Sequence, residues 1–555
     1  MGVNKISIKN FRVFKEKTTF QLRPFTILTG PNNSGKSSLL KILNLLQQSV
    51  KELNSLNVLN FEKGNHNLAT FENSISWGSE NEDMSIVFDF PLDFFDEDFK
   101  LELIYDKMGE IGYIKSFKIY NQYRKLIALE NIKFENDINY QSFVSGDSGY
   151  DYEFSFDLEY IKKFVYQEKV KNAVSNISNE KLEDFLFYSY SFFDEEENKE
   201  IDLNEIVKKN SKKELKEDLL LIEKTSDIFQ KVEIDNYQLK RMNTDLFSEC
   251  FTDDNIEPLI LWKERYRVGS ALSNEFKSDF FKNNDEFNFF DDNILVHIED
   301  ENLNIFRKLV INNIQNSLDK LKYSVSDIDF LSAQRGCLNN ETEELVKQFS
   351  SLYLDLGDGF LKKALKLLNI NGEIKVERVN GRYTTVSLIQ NDKKVNILDL
   401  GYGYSQVIPI LLKILVTTHL HKTKKSEIDE ANVNENPTLI IEEPESNLHP
   451  NLQSKLADIL VLANKTFGIR FIIETHSEYL IRKLQYLTAK KEINLNNAVV
   501  YYFNSDEFVN NNEPKVKEIF INEFGGLSDT FGPGFFDEAT DLKFQLMKLN
   551  QSQRN

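Results

Sequence analysis

Apolar and polar residues alternate along "KISIKNFRVFKEKTTFQLRPFTILT" (Lys5 to Thr29), which predicts two or three strands. The period changes in "SSLLKILNLLQQ" (Ser37 to Gln48), where leucines and isoleucine recur three and four residues apart, as on a helix. Alternation returns in "ISWGSENEDMSIVFDFPL" and "LELIYDKMGEIGYIKSFKIY", both read as antiparallel hairpins. From about Asp151 to Ser324 the pattern becomes helical and rich in Phe and Tyr. "KKELKEDLLLIEKTSDIFQKV" and "LNIFRKLVINNIQNSLDKLK" are its plainest helices. Heptads are not sustained there, which argues against a long coiled-coil arm, and the aromatic residues read as core. A strand pair follows in "EIKVERVNGRYTTVSLIQ", turning at Asn380-Gly381. "ILDLGYGYSQVIPILLKILVTTHL" runs from a glycine-punctuated turn into an apolar helix, and "KTKKSEIDEANVNENP" reads as a polar, mobile linker. Two apolar strands then end in polar residues, "TLIIEEPESNLHP" and "FGIRFIIETHSEYLIRKL". No internal repeat is visible.

With 555 residues, the chain is long enough for two to four domains and a substantial core. Its net charge of −21 is uneven, and about sixteen of the excess negative charges fall between Asp151 and Asp300. Such a surface keeps a protein soluble and repels phosphate backbones, so any DNA contact needs a local patch; it would also suit a basic protein partner. The two cysteines, Cys250 and Cys337, form no metal-spaced motif, which fits a reducing, cytoplasmic setting. No signal core or membrane-length apolar run is present, and Ile6 stands where a myristoylation motif requires Ser or Thr.

The candidate chemistry begins between the first helix and the strand before it. In "GPNNSGKSS", Gly30 and Gly35 bracket four residues and Lys36-Ser37 follow, the G-x-x-x-x-G-K-[ST] phosphate loop. Its glycines let bare backbone approach an anion, and the helix N-terminus adds a positive dipole. Lys36 reaches the β/γ-phosphates of a nucleotide in such a loop, and the Ser37 hydroxyl ligates Mg²⁺. Strand "TLIIEE" ends in two adjacent carboxylates, Glu442 and Glu443, whose burial is costly unless a cation compensates. That cation would be Mg²⁺, with Glu442 behind the metal's own ligands or reaching it through water and Glu443 orienting or deprotonating the attacking water. His476, at the end of "FIIETH", is placed to sense the γ-phosphate, although a histidine at a strand end is by itself more often structural. Arg335, in "LSAQRGCL", is equally a phosphate contact or half of a buried ion pair.

These motifs, in this order, closely resemble the ABC-type ATPase heads of the RecF/SMC/OLD group. The tail "FGPGFFDEATDLKFQL" looks like a bacterial branch of that group with a C-terminal extension. The resemblance covers Met1 to about Glu80 and about Val376 to the end. It implies an α/β fold, an ABC-type head with a mixed β-sheet core and an inserted, largely helical acidic domain. The implied division is 1–80 with the phosphate loop, 81–150 a β-rich segment, 151–330 the acidic insertion and partner-binding candidate, 331–430 a signature lobe, 431–510 the rest of the head, and 511–555 the extension. It implies ATP and Mg²⁺ as cofactors. Gly30, Asn32, Asn33, Ser34, Gly35, Lys36, Ser37 and Ser38 match the nucleotide loop, with Ser37 and Glu442 at the metal. Glu443 is the catalytic glutamate, Ser446 to His449 the D-loop and His476 the switch histidine. "GYGYSQ" stands at the signature position but departs from L-S-G-G-Q, leaving open whether Gly403 or Ser405 meets the phosphate. A Q-loop glutamine is not placed; Gln47 and Gln48 lie on the first helix.

In such heads the signature acts on a second protomer, which implies a head-to-head homodimer and leaves room for a dimer of dimers. The resemblance further implies an ATPase that regulates an effector, an HNH-type nuclease, in anti-phage defence of the Septu-like or retron-associated kind, with a reverse transcriptase and its nucleic acid as further partners. No intrinsic nuclease is expected, because the tail lacks the acidic cluster of an OLD-type nuclease. A DNA repair ATPase of the RecF/SMC kind is the alternative.

Overall fold

The computed structural model describes residues 3–61, 68–79, 82–92, 95, 97–108, 111–131, 152–157, 230–234, 312–333, 340–351, 358–379, 383–391, 393–396, 399, 402–427, 436–509, 513–532, 535–536 and 542–548. The chain opens with β1 (Lys5–Lys9), β2 (Thr18–Gln21), β3 (Phe25–Thr29), helix α1 (Ser37–Leu53) and the short β4 (Val58–Leu59). β5 (Met84–Asp89), β6 (Lys100–Met108), β7 (Ile111–Tyr120), β8 (Lys125–Asn131), β9 (Tyr152–Phe156) and β10 (Gln230–Ile234) follow. All of these strands except β3 join one antiparallel nine-stranded sheet, in the order β10-β9-β8-β7-β6-β5-β1-β2, with β4 on β7.

The second half of the chain supplies α2 (Asn312–Ser326), β11 (Ile328–Leu331), α3 (Asn340–Ser351) and α4 (Asp358–Leu367). A separate three-stranded antiparallel sheet is made by β12 (Glu373–Val379), β13 (Tyr383–Gln390) and β14 (Lys393–Asn396). Then come α5 (Tyr402–Glu427), β15 (Thr438–Glu442), α6 (Pro450–Phe467), β16 (Arg470–Glu474), α7 (Glu478–Ala489), β17 (Ala498–Phe503), α8 (Asp506–Val509) and β18 (Val516–Phe520). The second large sheet runs β11-β15-β16-β3-β17-β18, parallel except for its edge strand β18. β3, from the N-terminal region, lies between two strands from the C-terminal third. The phosphate loop therefore leaves the middle of a sheet assembled mostly by distant sequence.

Alternation along these buried parallel strands sends successive side chains to opposite faces. Leu28, Ile440, Ile472, Val499 and Tyr501 face a core shared with α1, α2 and the antiparallel sheet. Ile27, Leu439, Ile441, Ile473 and Val500 face a second core with α5, α6 and α7. α1 is enclosed between the two large sheets, so Leu39, Leu40, Ile42, Leu43, Leu45 and Leu46 are all buried. Full burial of such side chains is worth about 1.5–3 kcal/mol each, which fixes this helix and the loop before it. On the face of the second core, Phe531, Phe535 and Phe536 pack around Tyr502 and each other.

The mixed α/β architecture, including the strands read over Lys5 to Thr29, matches the expectation from sequence, with three local differences. "LELIYDKMGEIGYIKSFKIY" forms the β6–β7 hairpin, but "ISWGSENEDMSIVFDFPL" contributes only β5. Its first half is held in turns by Ser79 N–H to Ser76 O (3.1 Å) and Glu82 N–H to Ser79 O (3.0 Å), and by the Asn10 side chain donating to Ser79 O. The region read as a helical insertion begins with strand β9 and contains β10, which extend the antiparallel sheet. Gln230 to Val232, read as the end of a helix, therefore lie in a strand, while α2 packs on α1 in the main core. The remainder of that insertion, including "FFDEEENKE", lies outside the described residues, as do Arg335 and both cysteines. The first six residues of the expected linker, Lys422 to Glu427, continue α5, and 428–435 lie outside the described residues. Among the described residues, no helix is long and apolar enough to cross a membrane.

Candidate functional site

The site lies at the carboxyl ends of β15, β16 and β3, where open parallel sheets bind ligands. Glu442 and Glu474 are register partners at the ends of β15 and β16, and Leu28 of β3 pairs with Glu474. β3 runs on through Thr29 into the phosphate loop. The Thr29 hydroxyl donates to Thr475 O (2.8 Å) and Thr475 N–H to Leu28 O (2.9 Å), which ties that loop to the segment carrying His476.

Both loop glycines have positive φ, +144° at Gly30 and +99° at Gly35. A Cβ at Gly30 would collide with the Phe503 carbonyl, and one at Gly35 would lie 2.5 Å from Val13 Cγ2. The tight turn thus leaves backbone N–H groups exposed to an incoming anion. Asn32 and Asn33 are exposed at its tip, Asn33 with a φ of 59°, and Ser34 is buried with an unpartnered hydroxyl. Arg12 Nε donates to Ser38 Oγ (3.3 Å) from the turn after β1. Lys36, only 4% exposed, donates to Pro31 O (2.7 Å) and Gly30 O (3.2 Å). Burial lowers its pKa, opposed by the carboxylates of Glu474, Glu443 and Glu445.

Those carboxylates converge from two strand ends, Glu443 and Glu445 from the turn after β15 and Glu474 from the end of β16. Glu443 has a φ of 41°, an uncommon backbone conformation that concentrates at functional sites. Its N–H donates to Glu474 O (2.7 Å), and its Oε2 accepts the Ser446 hydroxyl (2.8 Å). Glu445 is buried and its Oε1 accepts the His476 N–H (2.6 Å), joining the segment after β15 to the segment after β16. Burial raises the Glu445 pKa, while the His476 N–H and the Thr475 hydroxyl pull it down. Glu474 is 7% exposed, and its Oε1 accepts the Ser37 hydroxyl at 3.0 Å. Burial pushes its pKa up to about 7, against the pull of Ser37 and Lys36 and with further upward pressure from Glu442 and Glu443. His476 is half-buried; burial and then the Lys36 charge lower its pKa, so the ring is neutral at pH 7.

A divalent cation suits this donor set. Glu474 Oε2 is a buried carboxylate oxygen without a hydrogen-bond partner, beside the Ser37 hydroxyl and the end of β15. Such an oxygen is costly to bury unless a cation or donor answers it. Among the described residues, no three His, Cys, Asp or Glu side chains form a metal cage. The protein would then supply part of a shell of hard oxygens, the usual arrangement for Mg²⁺ held jointly with phosphates and water.

The structure brings Lys36, Ser37, Glu442, Glu443 and His476 to one end of the sheet. Gly403 and Ser405 lie in the first turn of α5. Gly403 backs onto Leu448 and Leu452, in the turn before α6 and the first turn of α6, and Ser405 is buried. His449 caps α6, its Nδ1 accepting the Asn451 N–H. Gln47 donates to Ile328 O (2.8 Å) deep in the core, so its amide supports β11. Glu474, Glu445 and Arg12 were not singled out from sequence. The signal for Glu474 was present: "FIIE" is an apolar strand ending in an acid, as "LIIE" is.

A family model described as "AAA ATPase domain" matches residues 1–481, and one described as "Protein of unknown function (DUF3696)" matches residues 493–546. No curated protein matches the chain. Among solved structures, the chain is similar to an SMC head bound to the C-winged helix domain of ScpA, with 12% identity, 94% of this chain and 98% of that one covered, and a TM-score of 0.33. A second is an Smc head domain with an extended coiled coil bound to the C-terminal domain of ScpA, derived from Pyrococcus furiosus (13% identity, 100% of both chains, TM-score 0.31). A third is the SMC head domain from Thermotoga maritima (10% identity, 90% of this chain and 94% of that one, TM-score 0.32). The family match spans the phosphate loop, the carboxylate-ended strands and His476, and the chain belongs to the AAA ATPase domain family.

Proposed function

We propose that the chain is an ABC-type ATPase that binds ATP with Mg²⁺ at the end of the parallel sheet and hydrolyses it in a head-to-head homodimer. The observation that carries this reading is the meeting of Ser37, in the phosphate loop, with the carboxylate-ended strands β15 and β16 around one buried lysine. The loop N–H groups and Lys36 would bind the phosphates, exchanging the loop carbonyls that Lys36 now holds for phosphate oxygens. Ser37 and Glu442 would hold Mg²⁺, which when bound neutralises charge on the phosphates. Glu443, oriented by Ser446, would take a proton from the water that attacks the γ-phosphorus. The bond to the β–γ bridging oxygen breaks, giving ADP and phosphate. Neutral His476, held by Glu445 through its backbone, would donate a ring N–H to the γ-phosphate.

Glu443→Gln should retain ATP binding and lower turnover at least about 100-fold, because an amide cannot accept the proton. Phosphate release and nucleotide calorimetry measure the two separately. Turnover at the wild-type rate would reassign the base.

The finer reading is that ATP turnover controls a separate effector, a nuclease, in anti-phage defence. It rests on the resemblance of the motifs and on the acidic stretch between Asp151 and Asp300, which would dock a basic protein. A DNA repair ATPase remains the second reading; the negative charge weighs against it.

A further inference from the structure

Glu474 has a role still to be accounted for. Its Oε1 is committed to the Ser37 hydroxyl at 3.0 Å, while Oε2 is buried without a hydrogen-bond partner. Lys41 on α1 acts on Glu474 and Glu442 through its charge, but no charged neighbour gives this oxygen a hydrogen bond. Lys36 spends its hydrogen bonds on the carbonyls of Gly30 and Pro31, and Glu442 and Glu443 carry the same charge as Glu474. A buried carboxylate oxygen so placed favours a cation.

Two further observations say what kind of cation. Glu442 and Glu474 are register partners on adjacent parallel strands, so their side chains leave the same face of the sheet at the same level. The Ser37 hydroxyl donates its proton to Glu474, which leaves the oxygen lone pairs available to a metal. The donors are all hard oxygens, and among the described residues they do not close a cage. That combination suits Mg²⁺ in company with phosphates and water.

We propose that Glu474 is a direct Mg²⁺ ligand through Oε2, beside Ser37 and with Glu442 reaching the metal through water. This deepens the ATPase reading and rests on it. One residue thus serves twice: Oε1 aims the Ser37 hydroxyl, and Oε2 takes a coordination position.

The test is Mn²⁺ binding, followed by electron paramagnetic resonance, to the full chain with a non-hydrolysable ATP analogue. Glu474→Gln keeps the size of the side chain and an oxygen that can accept from Ser37, so a residue that only positions Ser37 would tolerate it. A ligand would not, and Mn²⁺ affinity should fall about 10- to 100-fold in both Glu474→Gln and Glu474→Ala. Glu474→Cys should shift metal preference from Mg²⁺ towards Cd²⁺, since thiolate is a soft ligand. Analogue affinity in EDTA should stay at or above the wild-type level in the Gln variant, which also reports an intact loop. Wild-type Mn²⁺ affinity in Glu474→Gln would overturn the proposal while leaving the ATPase reading standing. Absence of analogue binding by the unaltered chain would overturn both.

Discussion

At the scale of single residues, the site is organised around the positive charge of Lys36. Three carboxylates, Glu474, Glu443 and Glu445, surround a lysine that is itself buried, and each depends on that cation for part of its stability. Lys36→Ala should therefore reduce ATP affinity about 100-fold, the loss of one or two charge-assisted hydrogen bonds to phosphate. Lys36→Arg should not rescue it, because a planar guanidinium does not fit a socket formed by the Gly30 and Pro31 carbonyls. Calorimetry on the three proteins checks this, and an arginine variant that binds like wild type would contradict it. Lys36 and the glutamates of "IIEE" were legible in the sequence because adjacent buried acids and a glycine-bracketed lysine are uncommon by composition alone. Glu445 was not, since its meaning depends on a bond to the backbone of His476 made only when two strand ends come together.

At the scale of elements, α5 links the turn at Gly403 to Ser405 to the strand beneath the first helix. Lys413 pairs with Asp329 (2.7 Å), Thr417 donates to the same carboxylate (2.6 Å), and His421 pairs with Asp327 (2.6 Å). Burial would raise the Asp329 pKa, but the Lys413 charge and these hydrogen bonds prevail and hold it below the usual aspartate value. A carboxylate with a depressed folded-state pKa contributes stability above its unfolded pKa and loses it as pH falls through the folded value. Asp329→Asn should accordingly cost about 2 kcal/mol at pH 7, and the difference from wild type should shrink as pH drops below the ordinary aspartate pKa of 3.8. Urea unfolding at several pH values measures it; a pH-independent difference would mean that packing, not charge, carries the effect. The element itself was read correctly as an apolar helix, but its length was not. Six polar residues that look like a linker continue the helix, with Lys424 also paired to Asp327 (3.5 Å). Strands β9 and β10 were missed for a related reason. Their ladder partners are remote in sequence, and local periodicity carries no information about a sheet edge waiting to be extended.

At the scale of the whole molecule, the order of motifs was legible because each needs a strand behind it. The phosphate loop and the two acid-ended strands could share a site only if β3 entered a sheet built by the C-terminal third, as it does. The proposed function also makes a prediction about assembly, at the start of α5. Gly403 backs onto Leu448 and Leu452 of its own chain, in the turn after β15 and the first turn of α6. On the ABC-type reading, each ATP is closed by the phosphate loop of one protomer and the signature turn of the other across a two-fold interface. Mixing two dead variants tests this directly. Lys36→Ala removes the loop function, and Gly403→Asp sets a negative charge at the signature turn, where an added Cβ meets only ordinary contacts at 3.6 Å. In an equal mixture about half of the dimers pair the two variants, and each such dimer contains one site with both parts intact, so turnover should recover to about a quarter of wild type. If loop and signature served the same chain, every site would lack one part and the mixture would stay as inactive as its components. Thermal melts of each variant check that both fold, and light scattering with ATP checks that they associate.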